Sequence, residues 1–380
     1  MSLIVRLLST GRCGWLASVV VLSAAGLAVA AEPIIIGHTC TNLDQVPPYW
    51  IAQAKNLIRL SYGHTSHGSQ IVTGITTLNN VLGCSCSSCS SPGCPTCTYG
   101  FCDDYYFYKY GGSNPVAPPG VLSFWDYKPE GASDLGNPNR TQWEVATRAM
   151  LQDPRYVNRN LVMWSWCGQA DTTPENIQLY LNLMRGLEIS YPNVTFVYMT
   201  GHLNGSGVEG NLNQRNNQIR AHCLAYNCVL FDFADIESYD PDGNYFLPLY
   251  ADDGCNYSGG NWATQWCAAH PGSDLCASCS CAHSQPLNCN LKGRAFWWMM
   301  ARVAGWDGTA HGDFDQDLDV DSADFALFSA CLAGPQVPPA PAQSPPTVEQ
   351  CLTVFDTNAD GDVDLADFRA FQAAFTGSAG

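Results

Sequence analysis

The chain has 380 residues, of which 46% are hydrophobic and only 13% charged, so it carries enough apolar material for a packed core and is not a disordered chain. Its 34 acids against 17 Lys and Arg give a formal charge of −17, which leaves no basic footprint for nucleic acid and is repelled by anionic membrane surfaces. Nineteen cysteines, 34 Gly and 23 Pro point to a loop-rich, disulfide-stapled protein of one large and one small unit.

In chain order, Arg6 and Arg12 precede the apolar run Trp15 to Val29, and Ala28-Val29-Ala30 supplies a small-x-small cleavage site. This predicts a signal peptide over residues 1–30 and a secreted or cell-surface-attached product with no membrane span. Cleavage removes Cys13 and leaves an even eighteen cysteines. In an oxidising compartment these read as disulfides, although Cys86-x-x-Cys89 and Cys94-x-x-Cys97 have zinc-like spacing.

Residues 31–306 alternate short apolar runs with amphipathic stretches. Strands are expected at 56–62, 160–166, 193–200 and 228–233, and helices near 69–82, 174–189, 211–226 and 291–304. Thr173-Pro174-Glu175 is a helix start with Pro at the first position. The fold class that follows is α/β, a three-layer α/β/α domain around a mostly parallel sheet, plus a small helical module. Sites in such sheets form beyond the carboxyl ends of the strands, here after Tyr62, Trp166, Thr200 and Phe233.

Each of those ends carries chemistry. Gly63-His64-Thr65-Ser66-His67-Gly68 presents a Ser between small residues at a strand-to-helix turn, where Ser66 is either a nucleophile or a cap on the next helix. His64 and His67 flank it and are the residues a metal would use there, while His202 at a third strand end is either a site or a turn residue. His283, just before the last helix, is either a general base or a loop hydrogen-bonder. Asp232, Asp235, Glu237, Asp240 and Asp242 read as solvated loop acids, with calcium the alternative, and Trp164, Trp166, Trp297 and Trp298 read as core.

Past a short hinge at 307–312, residues 312–380 hold twelve acids and one base, Arg369. Asp356, Asn358, Asp360, Asp362, Asp364 and Asp367 fall at positions 1, 3, 5, 7, 9 and 12 of a calcium loop with Gly361 at position 6. Asp313, Asp315, Asp317, Asp319, Asp321 and Asp324 repeat the register with Leu318 in place of the Gly. Ca2+ is therefore the expected cofactor of residues 313–380, and like-charge repulsion makes their folding depend on it. Cys331 and Cys351 flank a Pro-rich insert over 333–348 and are expected to bridge across it.

The paired loops resemble type I dockerin modules over about 65 residues, which implies calcium in both loops and docking to a cohesin-like or cell-surface partner. Ser322-Ala323 and Leu365-Ala366 stand where such dockerins carry hydroxyl pairs. The body resembles the SGNH/GDSL hydrolases in element order over 34–305. That resemblance makes Ser66 the nucleophile, His283 the base, and Gly168 and Gln169, in Trp166-Cys167-Gly168-Gln169, the oxyanion-hole segment. Ser280 occupies the place of the family's acid three residues before the His, so Asp274, the nearest upstream acid, is the substitute if there is a triad rather than a dyad. The expected activity is hydrolysis of acyl esters on carbohydrate. The competing reading is a non-catalytic glycan-binding or adhesion protein on the same fold. The dockerin-like tail implies a bacterium, in which Asn193-Val-Thr195 is not a working glycosylation sequon.

Overall fold

The computed structural model describes residues 32–82, 98–103, 120–156, 158–306, 308, 312–315, 320–358 and 360–375. The expected export segment, the cysteines from Cys84 to Cys97, Asp317 and Asp319 lie outside these residues.

Seven strands form one sheet: β1 (Ile34–Ile36), β2 (Arg59–Gly63), β3 (Phe101–Asp103), β4 (Leu122–Asp126), β5 (Leu161–Trp164), β6 (Thr195–Met199) and β7 (Val229–Phe231). Their order is β1-β7-β6-β5-β2-β4-β3, and every neighbouring pair is parallel. β5 is buried at all four residues, which is why it reads as an uninterrupted apolar run. The chain leaves β2 toward β3 and β4, and leaves β5 toward β6 and β7 on the other side. The adjacent ends of β2 and β5 are thus a topological switch point, where loops diverge and leave a crevice.

The helices of the body are α1 (Pro48–Leu57), α2 (Ser69–Val81), α3 (Gln142–Gln152), α4 (Pro174–Ser190), α5 (Asn211–Tyr226), the single turn α6 (Phe233–Ile236), α7 (Trp262–Ala269) and α8 (Pro286–Val303). α8 is the central one. It buries Leu287, Leu291, Phe296, Trp297, Met299 and Met300, each contributing about 1.5–3 kcal/mol by burial. It packs most closely on α2 through Gly74 and Gly293, where a Cβ on either residue would run into the backbone of the opposite helix. The two helices that follow Ser66 and His283 are therefore held at a distance only glycine permits. Trp164, Trp166, Trp297 and Trp298 are core residues, as the sequence suggested.

The sequence reading missed β1, β3, β4, α1, α3, α6 and α7, and it extended the first strand back to Asn56, which belongs to α1. Three helices follow the body: α9 (Ser322–Cys331), α10 (Val348–Phe355) and α11 (Leu365–Ala374). They enclose their own small core of Val320, Phe328, Val354, Phe355, Val363 and Phe371, stapled by a Cys331–Cys351 disulfide. Disulfides also join Cys267 to Cys276 and Cys281 to Cys289. No helix among the described residues is long and apolar enough to cross a membrane.

Candidate active site

The turn after β2 runs straight into α2. Its N-cap is Gly68, so Ser66 does not cap the helix. Gly68 is required by contact: a Cβ there would meet the Ser165 hydroxyl, the His64 side chain and the Tyr62 hydroxyl. Ser69 Oγ donates to the Ser66 carbonyl at 2.6 Å and fixes the turn, which leaves the Ser66 hydroxyl facing the loop before α8. There it meets His283, with Oγ 2.8 Å from Nε2.

The His283 loop is held at two points. The Cys281–Cys289 disulfide ties it to the first turn of α8. Gln70 Nε2 donates to the Ala282 carbonyl at 2.6 Å. His283 itself sits in the left-handed region at φ 62°, an uncommon conformation for a residue with a Cβ, and one that costs energy the surrounding contacts must cover. Beside Ser66 lies a cleft of about 430 Å³ lined by His64, Thr65, Tyr127, Pro129, Ala132 and Ser133. Tyr127 is 60% exposed along its wall.

The other two histidines have partners of their own. His64 is buried, with Nε2 2.6 Å from Asp126 Oδ1 and Nδ1 2.9 Å from the Thr65 carbonyl. Both ring nitrogens are therefore engaged by oxygens of the chain, which leaves neither of them directed at a metal. His67 places Nδ1 3.1 Å from Cys167 Sγ and Nε2 3.0 Å from Asp253 Oδ2. Its ring is clamped between His202, 4.0 Å away and nearly parallel, and His283 at 4.4 Å. Burial holds the His67 imidazole below its ordinary pKa, partly offset by Asp253. Burial pushes the Asp253 carboxyl up, but the His67 hydrogen bond and the surrounding histidines outweigh it and bring it below the usual range. His67, His202 and Asp253 together offer ligand atoms within 4.8 Å of one another and can hold a metal. The flat stacking of the rings and the engagement of both His67 nitrogens favour a relay over a metal centre.

The structure places the remaining site residues differently from the sequence reading. Gln169 accepts from the Cys167 amide at 3.1 Å and also hydrogen-bonds Asp134, so it braces the turn after β5 instead of facing an oxyanion. Gly168 is exposed at the apex of that turn with open space around it. Asp274 lines a separate small cavity with Gly74, Thr77, Asn290 and Arg294, and no hydrogen bond among the described residues joins it to His283. The acids after β7 are mostly paired rather than solvated. Asp232 meets Arg220, and Asp235 meets His38 at 2.7 Å. Glu237 pairs with Lys292 at 2.6 Å with both side chains fully buried.

That buried pair reaches the site. Glu237 Oε2 accepts from the Leu203 amide at 2.7 Å, next to His202, and Lys292 donates to Gln70, whose other end holds the Ala282 carbonyl. Asn288 links Glu237 to Ser284 on the other side of His283. A single charge pair thus fixes the loops of His202 and His283 to α2. The signals for Cys167, Asp253 and Lys292 were weak in sequence, since a lone Cys, an Asp in a loop and a Lys inside an apolar helix have no spacing rule.

In the C-terminal loops, Asp313, Asp315 and Asp324 converge, as do Asp362, Asp364 and Asp367, each set within 4.8 Å. Asp324 accepts from the amides of Phe314 and Asp321, and Asp367 accepts from those of Thr357 and Asp364, the same pattern one repeat later. Asp356 accepts from Gly361 N at 2.9 Å, and Gly361 supplies φ 88° for the turn. Burial and the neighbouring Asp367 and Asp360 push the Asp356 carboxyl up to about 6. Convergent hard oxygens suit a divalent cation. Comparisons with protein-family models, curated proteins and solved structures find no match to this chain.

Proposed function

We propose that the body is a secreted serine ester hydrolase of SGNH-like, three-layer α/β/α architecture, with Ser66 as nucleophile and His283 as general base. The observation that carries this reading is the 2.8 Å contact between Ser66 Oγ and His283 Nε2 at the switch point of a parallel sheet, open to a cleft. Ser66 attacks the acyl carbonyl and gives its proton to His283, which returns it to the leaving alcohol. With Asp274 elsewhere, the pair works as a dyad, and Asp253 lies close enough to His283 for the two groups to interact electrostatically. The exposed Tyr127 face beside Ser66 suits a sugar ring, which keeps acylated carbohydrate as the substrate class.

Residues 313–380 are proposed as a calcium-dependent docking module. Its support is the repeated carboxylate geometry, whose converging hard oxygens suit calcium. A groove of about 300 Å³ lined by Phe325, Phe368, Phe371 and Phe375 supports a protein partner of cohesin type. The alternative of a non-catalytic glycan-binding protein is favoured by one observation, that no carboxylate is hydrogen-bonded to His283 among the described residues. Fluorophosphonate treatment of the calcium-loaded chain, with the adduct mapped by mass spectrometry, separates the two. Labelling at Ser66 that His283→Ala lowers at least about a hundredfold supports the hydrolase. A folded chain that stays unlabelled is the binding protein.

A further inference from the structure

Ser66 is not the only nucleophile in the site. Cys167 Sγ lies 3.8 Å from Ser66 Oγ, at the end of β5 across the switch point. Its partner is a different histidine. Asp253 can only accept a hydrogen bond, so the proton of the neutral His67 ring belongs on Nε2, which faces Asp253 at 3.0 Å. Nδ1 then has a free lone pair, and the group 3.1 Å from it is the Cys167 thiol. Nucleophile, base and orienting acid are all present, in the order that a thiol hydrolase uses.

We propose that Cys167, His67 and Asp253 form a second nucleophilic centre, a thiol triad that accepts acyl groups from esters or thioesters bound in the same cleft. In the first step the thiol proton passes to His67 Nδ1 and Sγ attacks the carbonyl carbon. The alkoxide or thiolate then leaves, taking the proton back from His67, and a thioester remains on Cys167. Water hydrolyses that thioester to the carboxylic acid and restores the thiol. The structure supports the relay at each end. The Cys167 amide is pinned by Gln169, the His67 ring is clamped between His202 and His283, and burial favours the neutral form of the ring. Cys167 is half-buried, whereas Cys40, Cys223, Cys228 and Cys255, also outside disulfides, are buried. Cys279 is half-buried as well but is hydrogen-bonded by no histidine among the described residues, which makes it the internal control.

The triad uses atoms separate from Ser66 and His283, so it can fail while the serine reading stands, and the reverse. The test is iodoacetamide alkylation of the full, calcium-loaded chain at about pH 6, with the rate read at each cysteine by mass spectrometry. Cys167 is expected to react at least about tenfold faster than Cys279, and His67→Gln and Asp253→Asn each to remove that advantage. In Ser66→Ala, which no longer takes the fluorophosphonate, Cys167 stays fast and p-nitrophenyl acetate leaves an acetyl group on it that neutral hydroxylamine removes. The unmodified chain gives a further reading that no folding defect affects. Its Cys167 rate should be nearly flat from about pH 6 to about pH 8, where an ordinary thiol climbs about tenfold per unit. A Cys167 rate that climbs like an ordinary thiol, or that His67→Gln leaves unchanged, overturns the proposal.

Discussion

The α/β body and the C-terminal loops both bury carboxylates, but they neutralise them in opposite ways. In the body, the two most deeply buried acids of the β7 end have a cationic partner built into the chain, Lys292 for Glu237 and Arg220 for Asp232. In the loops, Asp324, Asp356, Asp362 and Asp367 are buried, and they accept from backbone amides and the Thr357 hydroxyl rather than from cationic side chains. The body therefore has a site whose geometry is set by the chain alone, whereas in the proposed calcium module the charge of the loops would be completed from outside. An internal cation gives a site fixed positions; an external one would give a fold that responds to its surroundings.

The largest break in that contrast should come from Lys292. Lys292→Met leaves Glu237 buried with no cation and unfastens the loops of His202 and His283. The expected loss is about 3–5 kcal/mol in urea denaturation, with the double variant Lys292→Met, Glu237→Leu recovering much of it. The double variant should still lose Ser66 labelling, because a leucine side chain in place of Glu237 cannot hold the Leu203 amide or Asn288. A single variant within about 0.5 kcal/mol of the parent would mean that the pair is not the fastening described here.

What could be read from the residues follows the same division. The convergence of the loop acids was legible because they recur at the fixed spacing that calcium coordination would require, and both repeats carry Val at position 8 and Asp-Phe at 12 and 13. Ser66 and His283 were legible as a pair only through a resemblance in element order. Cys167 and Asp253 were not, because their relation to His67 is set by three separate strand and loop ends that only the sheet order brings together. Among the elements, β4 was hidden by Ser123, a polar residue whose hydroxyl accepts from the buried Arg159 guanidinium at 3.0 Å. α3 lacks a side-chain cap of its own at Thr141; Asn139, two residues earlier, accepts from the amides of Thr141 and Gln142 instead. α1 begins after Pro47 with Pro48 at its first position, a doublet that reads as loop.

A smaller effect should separate the loops from the body by pH. Without calcium, Asp356 holds its proton up to about 6, above the ordinary value of 3.8. The folded form binds that proton more tightly than the unfolded one, so its contribution is present below about 3.8 and is lost as pH rises through about 6. Allowing for water at the loop mouth, that is about 1–2 kcal/mol. In EGTA, protection of α11 amides, corrected for intrinsic exchange, should fall between about pH 4 and about pH 6.5, while that of α8 does not. Calcium should abolish the fall, since it takes the place of the proton. A fall of equal size in α8 would show that the two regions are not separate in this respect.

The finest distinction lies between the two loops themselves. Gly361 has φ 88° with nothing near the place of a Cβ, so Gly361→Ala adds backbone strain and no clash. That strain is about 1 kcal/mol, which converts to about fivefold weaker calcium binding in the second loop by calorimetry. Leu318 holds the same position in the first loop, and Leu318→Gly should strengthen binding there by a similar factor. Opposite shifts would mean that the residue at position 6 separates two loops whose positions 1, 3, 5, 7, 9 and 12 differ only by Asp315 against Asn358. If Gly361→Ala changes nothing, the second loop does not close around its cation through the turn at position 6, and the calcium assignment fails where its geometry is strongest.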